Sequence, residues 1–476
     1  MNGEALAFLV TAGLLALHGS AVLLAFRAMR FARTPQGAVG WTVFLLALPY
    51  VGVPAYLIFG DFRYPAMIRA RQLSELAARV AEAPQAAPPP PMLSPETQAI
   101  RAGFEAIAGR MAASGNRVAL LTDGAEVFET LFAAIRAARR YVLIETYILR
   151  DDGLGRALQE ALIAKAREGV RVCVLYDPFG SYGLHRSYIA RMREAGVEIT
   201  NFHARHPPRA LAPLRVNFRN HRKIAVIDGE VAFTGGYNIG DEYVGRNPRL
   251  GPWRDTMVRI EGGAVAQLQL HFAEDWHWAT GELPALDWVP RNVPEGVQAL
   301  VLASGPSDPQ ETGTLYFAQA ITSARKRLWI ATPYFTPDTG LRQALRLAAL
   351  RGVDVRVLMA GRRDHWLVWL AGFAFLEEMR GSGVRVHRYD AGFMHQKVVL
   401  IDDEIAAIGS HNLDSRSCRL NFEASAVVFD PETAGRVARM LERDFEAAPL
   451  WQGPLAGAPL LLRLAAPVAR LFAPIL

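Results

Sequence analysis

Two stretches of this sequence carry the same residues at the same spacing. Each has a histidine, a lysine two positions later, an aspartate, a glycine and an asparagine. The first copy is His221, Lys223, Asp228, Gly235 and Asn238, and the second is His395, Lys397, Asp402, Gly409 and Asn412. A duplication in register indicates two homologous units rather than one long domain.

The sequence upstream of each copy repeats as well. In the first half, residues 127–138 have helical spacing, 141–148 form an apolar run, 154–168 are helical and 170–176 are apolar; the second half repeats this order over 315–324, 328–334, 341–350 and 353–359. Alternating strands and helices predict an α/β fold with helices covering a sheet. We expect two similar lobes, a duplicated α/β sandwich, with one active site shared between them.

The N-terminal residues predict a membrane anchor. Residues 6–26 and 39–59 contain no Asp, Glu, Lys or Arg, and each run is long enough to cross a bilayer of roughly 30 Å as a helix. The alternative is a cleaved signal peptide followed by a buried helix, but the early sequence lacks the required basic start. We therefore expect two transmembrane helices within residues 1–64.

The remaining boundaries follow from composition. Residues 65–97 begin with a helical pattern and end in an Ala/Pro-rich linker, which is typical of an extended spacer. We predict lobes at 98–295 and 296–476. The apolar tail from residue 460 suits either packing on its lobe, which we favour, or an amphipathic position on a membrane.

Composition restricts the partners. The net charge of +6 favours anionic ones, and an anionic membrane fits the apolar N-terminus better than nucleic acid does. We expect no nucleic acid, because no basic groove interleaved with aromatic residues is evident. The two cysteines have no paired spacing, and no carboxylate cluster suits a divalent ion, so we predict no cofactor and no metal.

The motif residues predict phosphodiester chemistry. A His and a Lys two positions apart on an extended segment point to the same side, and Lys223, Lys397, Asn238 and Asn412 can bind phosphate oxygens. One histidine can attack phosphorus, while the other donates a proton to the leaving alcohol and later accepts one. Two matched copies therefore suffice without a metal.

Other site residues have open alternatives. Asp228 and Asp402 belong to the candidate catalytic set by motif, but their place at a strand end favours a structural role. Asp255 and Glu423 could each orient a catalytic imidazole or be ordinary surface acids. Arg219 and Arg222, beside the first motif, are candidate headgroup contacts.

The paired motifs resemble the phospholipase D superfamily, and within it the bacterial cardiolipin synthases. The resemblance is carried by RNHRKIAVIDG (219–229), TGGYNIGDEYVG (234–245), WRD (253–255) and GSHNLDSRSCRLNFE (409–423), together with the two apolar N-terminal runs. It covers nearly the whole chain.

This resemblance implies an activity and a location. The family condenses two phosphatidylglycerol molecules into cardiolipin and glycerol. Carried over, His221 would attack phosphorus and His395 would serve as acid and base, although the two roles could be exchanged. Asp255 and Glu423 would orient the histidines. The resemblance also implies a multi-pass protein of the bacterial inner membrane with its catalytic part on the cytoplasmic face.

Three functions remain to be distinguished. The first is cardiolipin synthesis, and a variant of it uses another donor or acceptor lipid. The second is hydrolysis, by a phospholipase D or a nuclease. The third is a scaffold with a decayed site, which two intact motifs argue against. The sequence does not indicate an oligomeric state.

Overall fold

The computed structural model describes residues 3–32, 34–60, 65–81, 93–205, 218–289, 291–453, 455–457 and 459–473. These residues divide into two compact units. The smaller contains the N-terminal residues up to Arg71 together with Phe218, and the larger begins at Gln72 and contains the rest. Much of the predicted Pro-rich linker lies outside the described residues.

The N-terminal unit begins with helices α1 (Gly3–Phe31), α2 (Pro35–Ala47) and α3 (Pro49–Phe59), followed by α4 (Pro65–Ala81), which extends past Arg71. The predicted span 6–26 lies within α1. Of the described helices, α1 alone is long and apolar enough to cross a membrane.

The second predicted span, 39–59, is not one continuous helix. Leu48 has φ −135° and ψ 63° and separates α2 from α3. Pro49 follows it, and proline lacks an N–H and disfavours helical geometry in the residue before it. The structure therefore confirms an apolar N-terminal helix but not the count of two transmembrane helices.

Helices α1, α2 and α3 pack through a face of small residues. Ala21, Ala25 and Ala28 of α1 are buried against Leu45 and Tyr56. Alanines spaced four and three apart let helix backbones approach closely, as in helix pairs within bilayers. Much of the rest of α1 presents exposed apolar side chains.

The larger unit is a mixed α/β structure. Its further helices are α5 (Pro95–Ala108), α6 (Gly124–Ala137), α7 (Gly153–Arg167), α8 (Arg186–Glu194), α9 (Ala264–Thr280), α10 (Thr312–Ser323), α11 (Thr339–Leu350), α12 (Trp366–Met379), α13 (Ser415–Arg419), α14 (Pro431–Glu446) and α15 (Leu460–Arg470). Short 3₁₀ turns cover Asp241–Val244 and Leu455–Gly457.

The strands of this unit are β1 (Ala113–Leu121), β2 (Tyr141–Thr146), β3 (Arg171–Tyr176), β4 (Glu198–Asn201), β5 (Arg219–Asn220), β6 (Ile224–Ile227), β7 (Val231–Gly235), β8 (Trp253–Arg254), β9 (Met257–Glu261), β10 (Val297–Ser304), β11 (Arg327–Ala331), β12 (Phe335–Thr336), β13 (Asp354–Ala360), β14 (Arg385–Tyr389), β15 (Phe393–Met394), β16 (Val398–Ile401), β17 (Ile405–Gly409), β18 (Leu413–Asp414) and β19 (Asn421–Phe429).

The main sheet shows the duplication directly. Its order is β14-β13-β11-β16-β17-β19-β10-β1-β9-β7-β6-β2-β3-β4. Counted inward from either edge of the sheet, three parallel strands come first, then the strand that follows the motif (β6 or β16), then three more strands. The two halves meet in the middle at the antiparallel pair β1–β10. The predicted α/β class and two similar lobes are confirmed; the exact lobe limits remain a prediction.

Helices cover both faces of this sheet. In the second lobe, Leu328 and Ile330 of β11 face the core shared with α10, α11 and α12. Trp329 points the other way and contacts Phe445 of α14 at 5.5 Å between ring centroids. This alternation follows from the two-residue period of a strand, and it decides which motif residues face the site.

Candidate active site

The motif residues lie directly before the strands β6 and β16. His221, Lys223, His395 and Lys397 are all buried, with 2–8% of their surface exposed. Each His and Lys occupy an extended segment before the strand rather than the strand itself. The two segments come from different lobes and meet at the same place.

Two short parallel ladders join the lobes at this site. Strand β5, which precedes His221, pairs with the start of β19, so that Asn220 lies opposite Phe422. Strand β15 pairs with β8, so that Met394 lies opposite Arg254. One step further along each ladder brings His221 beside Glu423, and His395 beside Asp255.

Each histidine is therefore oriented by a carboxylate of the opposite lobe. His221 Nδ1 is 2.9 Å from Glu423 Oε2, and His395 Nδ1 is 2.7 Å from Asp255 Oδ2. An ionised carboxylate at Nδ1 keeps the proton there and leaves the Nε2 lone pair available for attack. The structure thus brings together both predicted orienting acids, in a crossed pairing that sequence distance did not indicate.

The two carboxylates are themselves held in place. Ser417 Oγ and Asn421 Nδ2 donate to Glu423 Oε1 at 2.8 and 3.0 Å. Burial opposes ionisation of Glu423, but the neighbouring His221 outweighs it and lowers the pKa to about 2. Glu423 therefore remains charged at neutral pH.

The second carboxylate depends on a close backbone approach. Asp255 Oδ1 accepts a hydrogen bond from the Thr256 N–H at 2.8 Å. A Cβ atom on Gly236 would lie 1.9 Å from the same oxygen. Any larger residue at Gly236, which directly follows the motif glycine Gly235, would displace Asp255 from His395.

Burial makes both histidines neutral in the free protein. It lowers the pKa of His221 to about 3 and that of His395 to about 4, despite the adjacent carboxylates. In the unliganded site, therefore, neither histidine holds the proton that a leaving alcohol would need. A bound anionic phosphodiester would raise both pKa values, because an opposite charge favours the imidazolium.

The lysines share one geometry in both lobes. Lys223 Nζ donates to the His221 carbonyl at 2.6 Å, and Lys397 Nζ donates to the His395 carbonyl. Burial lowers the pKa of Lys223 to about 7 and that of Lys397 to about 8. Two buried ammonium groups beside two imidazoles form a site that suits a phosphate group.

The asparagines lie in the loops after β7 and β17. Asn238 Oδ1 accepts from the Ile148 N–H at 3.2 Å, and its Nδ2 donates to Tyr243 Oη at 3.3 Å. Asn412 hydrogen-bonds Asp414, while its buried Oδ1 has no hydrogen-bond partner among the described residues. Phosphate binding by the two asparagines remains a prediction.

The catalytic assignment of Asp228 and Asp402 is wrong. Asp228 accepts the backbone N–H groups of Arg139, Arg140 and Tyr141 at 2.7–2.8 Å. Asp402 accepts those of Arg325, Lys326 and Arg327 at 2.7–3.2 Å. Both aspartates end the motif strand about seven residues, or roughly 20 Å of extended chain, from the histidine. These contacts support the favoured structural role.

The two candidate headgroup arginines differ. Arg222 points to the opposite face from His221, is buried, and pairs with Asp275 of α9 at 2.7 Å. Headgroup contact by Arg222 is therefore wrong, for the geometric reason that alternate residues of an extended segment face opposite sides. Arg219 instead donates to Tyr147 Oη at 2.9 Å.

Tyr147 is a site residue that sequence reasoning missed. Its ring lies 4.9 Å from the His221 ring, and Lys223 Nζ lies 5.4 Å from its centroid. The signal was the residue's place immediately after β2, at the same end of the sheet as the motif. Arg416 of α13 was also missed; Arg219, Tyr147 and Arg416 interact electrostatically.

The surroundings of the second histidine are aromatic. The Trp253 ring lies 5.0 Å from His395, and Phe393 lies 6.0 Å from it. The described residues contain no group of three or more His, Cys, Asp or Glu side chains that could hold a metal ion.

Known proteins match both the fold and the repeat. The family described as "Cardiolipin synthase, PLD-like domain" matches residues 131–276 and 317–445, and "Phospholipase_D-nuclease N-terminal" matches residues 20–60. The crystal structure of phosphatidylserine synthase from Haemophilus influenzae aligns with a TM-score of 0.61 at 14% identity, covering 80% of this chain and 100% of that one. The fold and the duplicated site define a phospholipase D-like enzyme.

Sequence relatives narrow the class. Cardiolipin synthase A of Pseudomonas entomophila is 48% identical, and the match covers 91% of each chain. Cardiolipin synthase A of Pseudomonas aeruginosa is 44% identical over 95% of this chain and 93% of its own. The chain belongs to the bacterial cardiolipin synthase family and is a phosphatidyltransferase acting on phospholipid.

Proposed function

We propose that this enzyme transfers a phosphatidyl group from one phosphatidylglycerol to the glycerol hydroxyl of a second, giving cardiolipin and free glycerol. The observation that carries the proposal is the pair of imidazoles, each with Nδ1 bound to a carboxylate of the other lobe at 2.7–2.9 Å. This arrangement leaves two Nε2 atoms for one phosphorus. The family relationship supports phosphatidylglycerol as donor and acceptor.

The reaction proceeds in two displacements. His221 Nε2 attacks phosphorus, and the bond to the glycerol oxygen breaks as His395 supplies the proton that the departing glycerol needs. His395 then takes the proton from the acceptor hydroxyl, whose oxygen attacks phosphorus and releases His221. The exchange of one phosphate ester for another balances without water, metal or cofactor.

The charge of the substrate sets the protonation states. Both histidines are neutral in the free site, and a neutral imidazole is the competent nucleophile. The bound phosphodiester raises the pKa of His395 so that it can take up a proton before glycerol departs. Lys223 and Lys397 hold the phosphoryl oxygens, and Asn238 and Asn412 are assigned the same role. Arg219, through its contact with Tyr147, is assigned to the headgroup.

The membrane topology and the boundaries of the two lobes are also part of the proposal. We assign a second membrane crossing to α2 and α3 together, with Leu48 as a break within it, which makes the protein multi-pass in the bacterial inner membrane. The catalytic lobes, placed at 98–295 and 296–476, face the cytoplasm, where phosphatidylglycerol is supplied. The break at Pro49 is compatible with a span because membrane helices tolerate proline.

A product assay tests the proposal. The full chain is purified in mixed micelles with phosphatidylglycerol as the sole phospholipid, and lipid and glycerol products are quantified. Cardiolipin with equimolar glycerol is expected. Phosphatidic acid without cardiolipin would mean that water is the acceptor, and the hydrolase alternative would replace the proposal.

A further inference from the structure

The C-terminal helix α15 is apolar on two of its faces. One face packs on the second lobe, where Ala466 and Ala469 are buried and Leu462 contacts the main core. The other face is open and carries Leu460, Leu461, Leu464 and Val468, and the turn after the helix adds Leu471 and Phe472; all six are 43–80% exposed. The tail therefore packs as expected, but it also leaves a contiguous apolar stripe uncovered.

The stripe has the pattern of a helix that lies at an interface. At 3.6 residues per turn, the exposed apolar residues fall within about 120° of the helix circumference. Arg463 and Arg470 lie together beside the stripe, and α15 contains no acidic residue. Arg470 also pairs with Glu378 of α12. Basic residues that flank an apolar face are typical of helices lying in the plane of an anionic membrane.

Helix α12 connects this surface to the active site. It packs against α15 and begins at Trp366, which is 58% exposed. The guanidinium of Arg363 lies 3.5 Å from the centre of the Trp366 ring. Two residues before Trp366, Asp364 accepts a hydrogen bond from Tyr334, and Asp364 also interacts electrostatically with Lys397.

We propose that the exposed face of α15, together with Trp366, is the surface by which the catalytic lobes dock on the phospholipid bilayer. We call these residues the docking surface. A bilayer fits because the stripe is apolar, Arg463 and Arg470 make one of its edges cationic, and an exposed tryptophan next to an arginine suits the headgroup region. The surface reaches the neighbourhood of Lys397, so it places the site near the membrane that holds the substrate.

Fluorescence can test the location without turnover. Cys173 and Cys418 are buried, so Leu464→Cys in the full chain can be labelled selectively with an environment-sensitive dye. The protein is reconstituted into vesicles of phosphatidylglycerol and phosphatidylethanolamine, with or without spin-labelled lipid. We expect blue-shifted emission that spin-labelled lipid quenches at least twofold. Glu432→Cys on α14, whose side chain is 72% exposed, should remain water-like.

Two outcomes of this experiment would overturn the proposal. Water-like emission at Leu464→Cys would mean that the surface is free. Blue-shifted emission without lipid quenching, with excimer formation by a pyrene label, would mean that a second copy of the chain covers it. Neither outcome depends on which alcohol accepts the phosphatidyl group.

Activity provides a second readout. The variant Leu461→Asp/Leu464→Asp/Val468→Asp should lose about tenfold in rate on phosphatidylglycerol in vesicles, yet keep its rate on a monomeric short-chain analogue. The matched control is Met111→Asp, whose side chain is 67% exposed outside the docking surface; it should lose neither. An equal loss on both substrates, or no loss on vesicles, would count against docking by α15.

Discussion

His395 Nδ1 lies 2.7 Å from Asp255 Oδ2, although the two residues belong to different lobes and are 140 positions apart. The reciprocal pair, His221 and Glu423, has the same geometry at 2.9 Å. Each histidine therefore depends on the other half of the chain for its tautomer and orientation. The ladders β5–β19 and β8–β15 enforce this dependence through backbone hydrogen bonds.

Replacement of either histidine is expected to abolish turnover. His221→Ala and His395→Ala should each lower kcat at least about 10³-fold, because one removes the nucleophile and the other the proton donor and acceptor. Phosphatidyl transfer by the purified variants is the measurement, with circular dichroism and membrane retention as controls for folding. Near-normal activity in either variant would reject the paired mechanism.

Replacing either orienting carboxylate should lower activity less than replacing a histidine, and by a similar amount in both cases. Glu423→Gln and Asp255→Asn keep the side-chain volume but weaken the hold on the imidazole, so kcat should fall about 10- to 100-fold with little change in KM. Glu432→Gln, at an exposed position of α14, serves as the control. A loss confined to KM would contradict an orienting role.

Asp228 and Asp402 should affect stability rather than chemistry. In Asp228→Asn or Asp402→Asn, the amide is a weaker acceptor for three backbone N–H groups, and the free energy of unfolding should fall by about 1–3 kcal/mol. The kcat of the folded protein should stay within about twofold of the parent. Thermal unfolding and kcat are measured on the same preparations, and a large drop in kcat with unchanged stability would restore the catalytic assignment.

The pH dependence follows from the buried lysines. A lysine side chain is positively charged only while it is protonated. Because the pKa is about 7 for Lys223 and about 8 for Lys397, both lysines lose their charge, and with it their hold on the phosphate, as the pH rises above neutrality. We expect kcat/KM to fall as the pH rises from about 6, by at least tenfold at pH 9, because kcat/KM reports the free enzyme, in which the lysines lose their charge and His395 must take up a proton. The histidines add no acid limb above about pH 5. A flat alkaline profile would show that the lysines keep their charge.

Replacing the two arginines beside the first motif should have different effects. Arg222→Gln removes the buried ion pair between Arg222 and Asp275 and should destabilise the fold by about 3–5 kcal/mol. Arg219→Gln should leave stability nearly unchanged but raise KM for phosphatidylglycerol. The measurements are unfolding curves and Michaelis parameters for both variants. Equal effects of the two replacements would contradict a structural role for Arg222 and a substrate-binding role for Arg219.

Much of this organisation could be predicted from the sequence because it depends on local period and repetition. The strand and helix patterns upstream of His221 and His395 correspond to β2, α7 and β3 and to β11, α11 and β13. The break between α2 and α3 at Leu48 could not be predicted, because residues 39–59 form one continuous apolar run. The crossed carboxylate pairing and the position of Tyr147 depend on contacts between distant segments, which no spacing along the chain reports.

The duplication has a chemical consequence beyond symmetry. His221 is flanked by Tyr147 and Arg219, whereas His395 is flanked by Trp253 and Phe393. Two identical subunits would have to give both sides of the phosphorus the same environment. Joining the halves in one polypeptide lets each side diverge, so that one histidine can have a polar surrounding suited to a headgroup and the other an aromatic surrounding suited to the apolar part of a lipid.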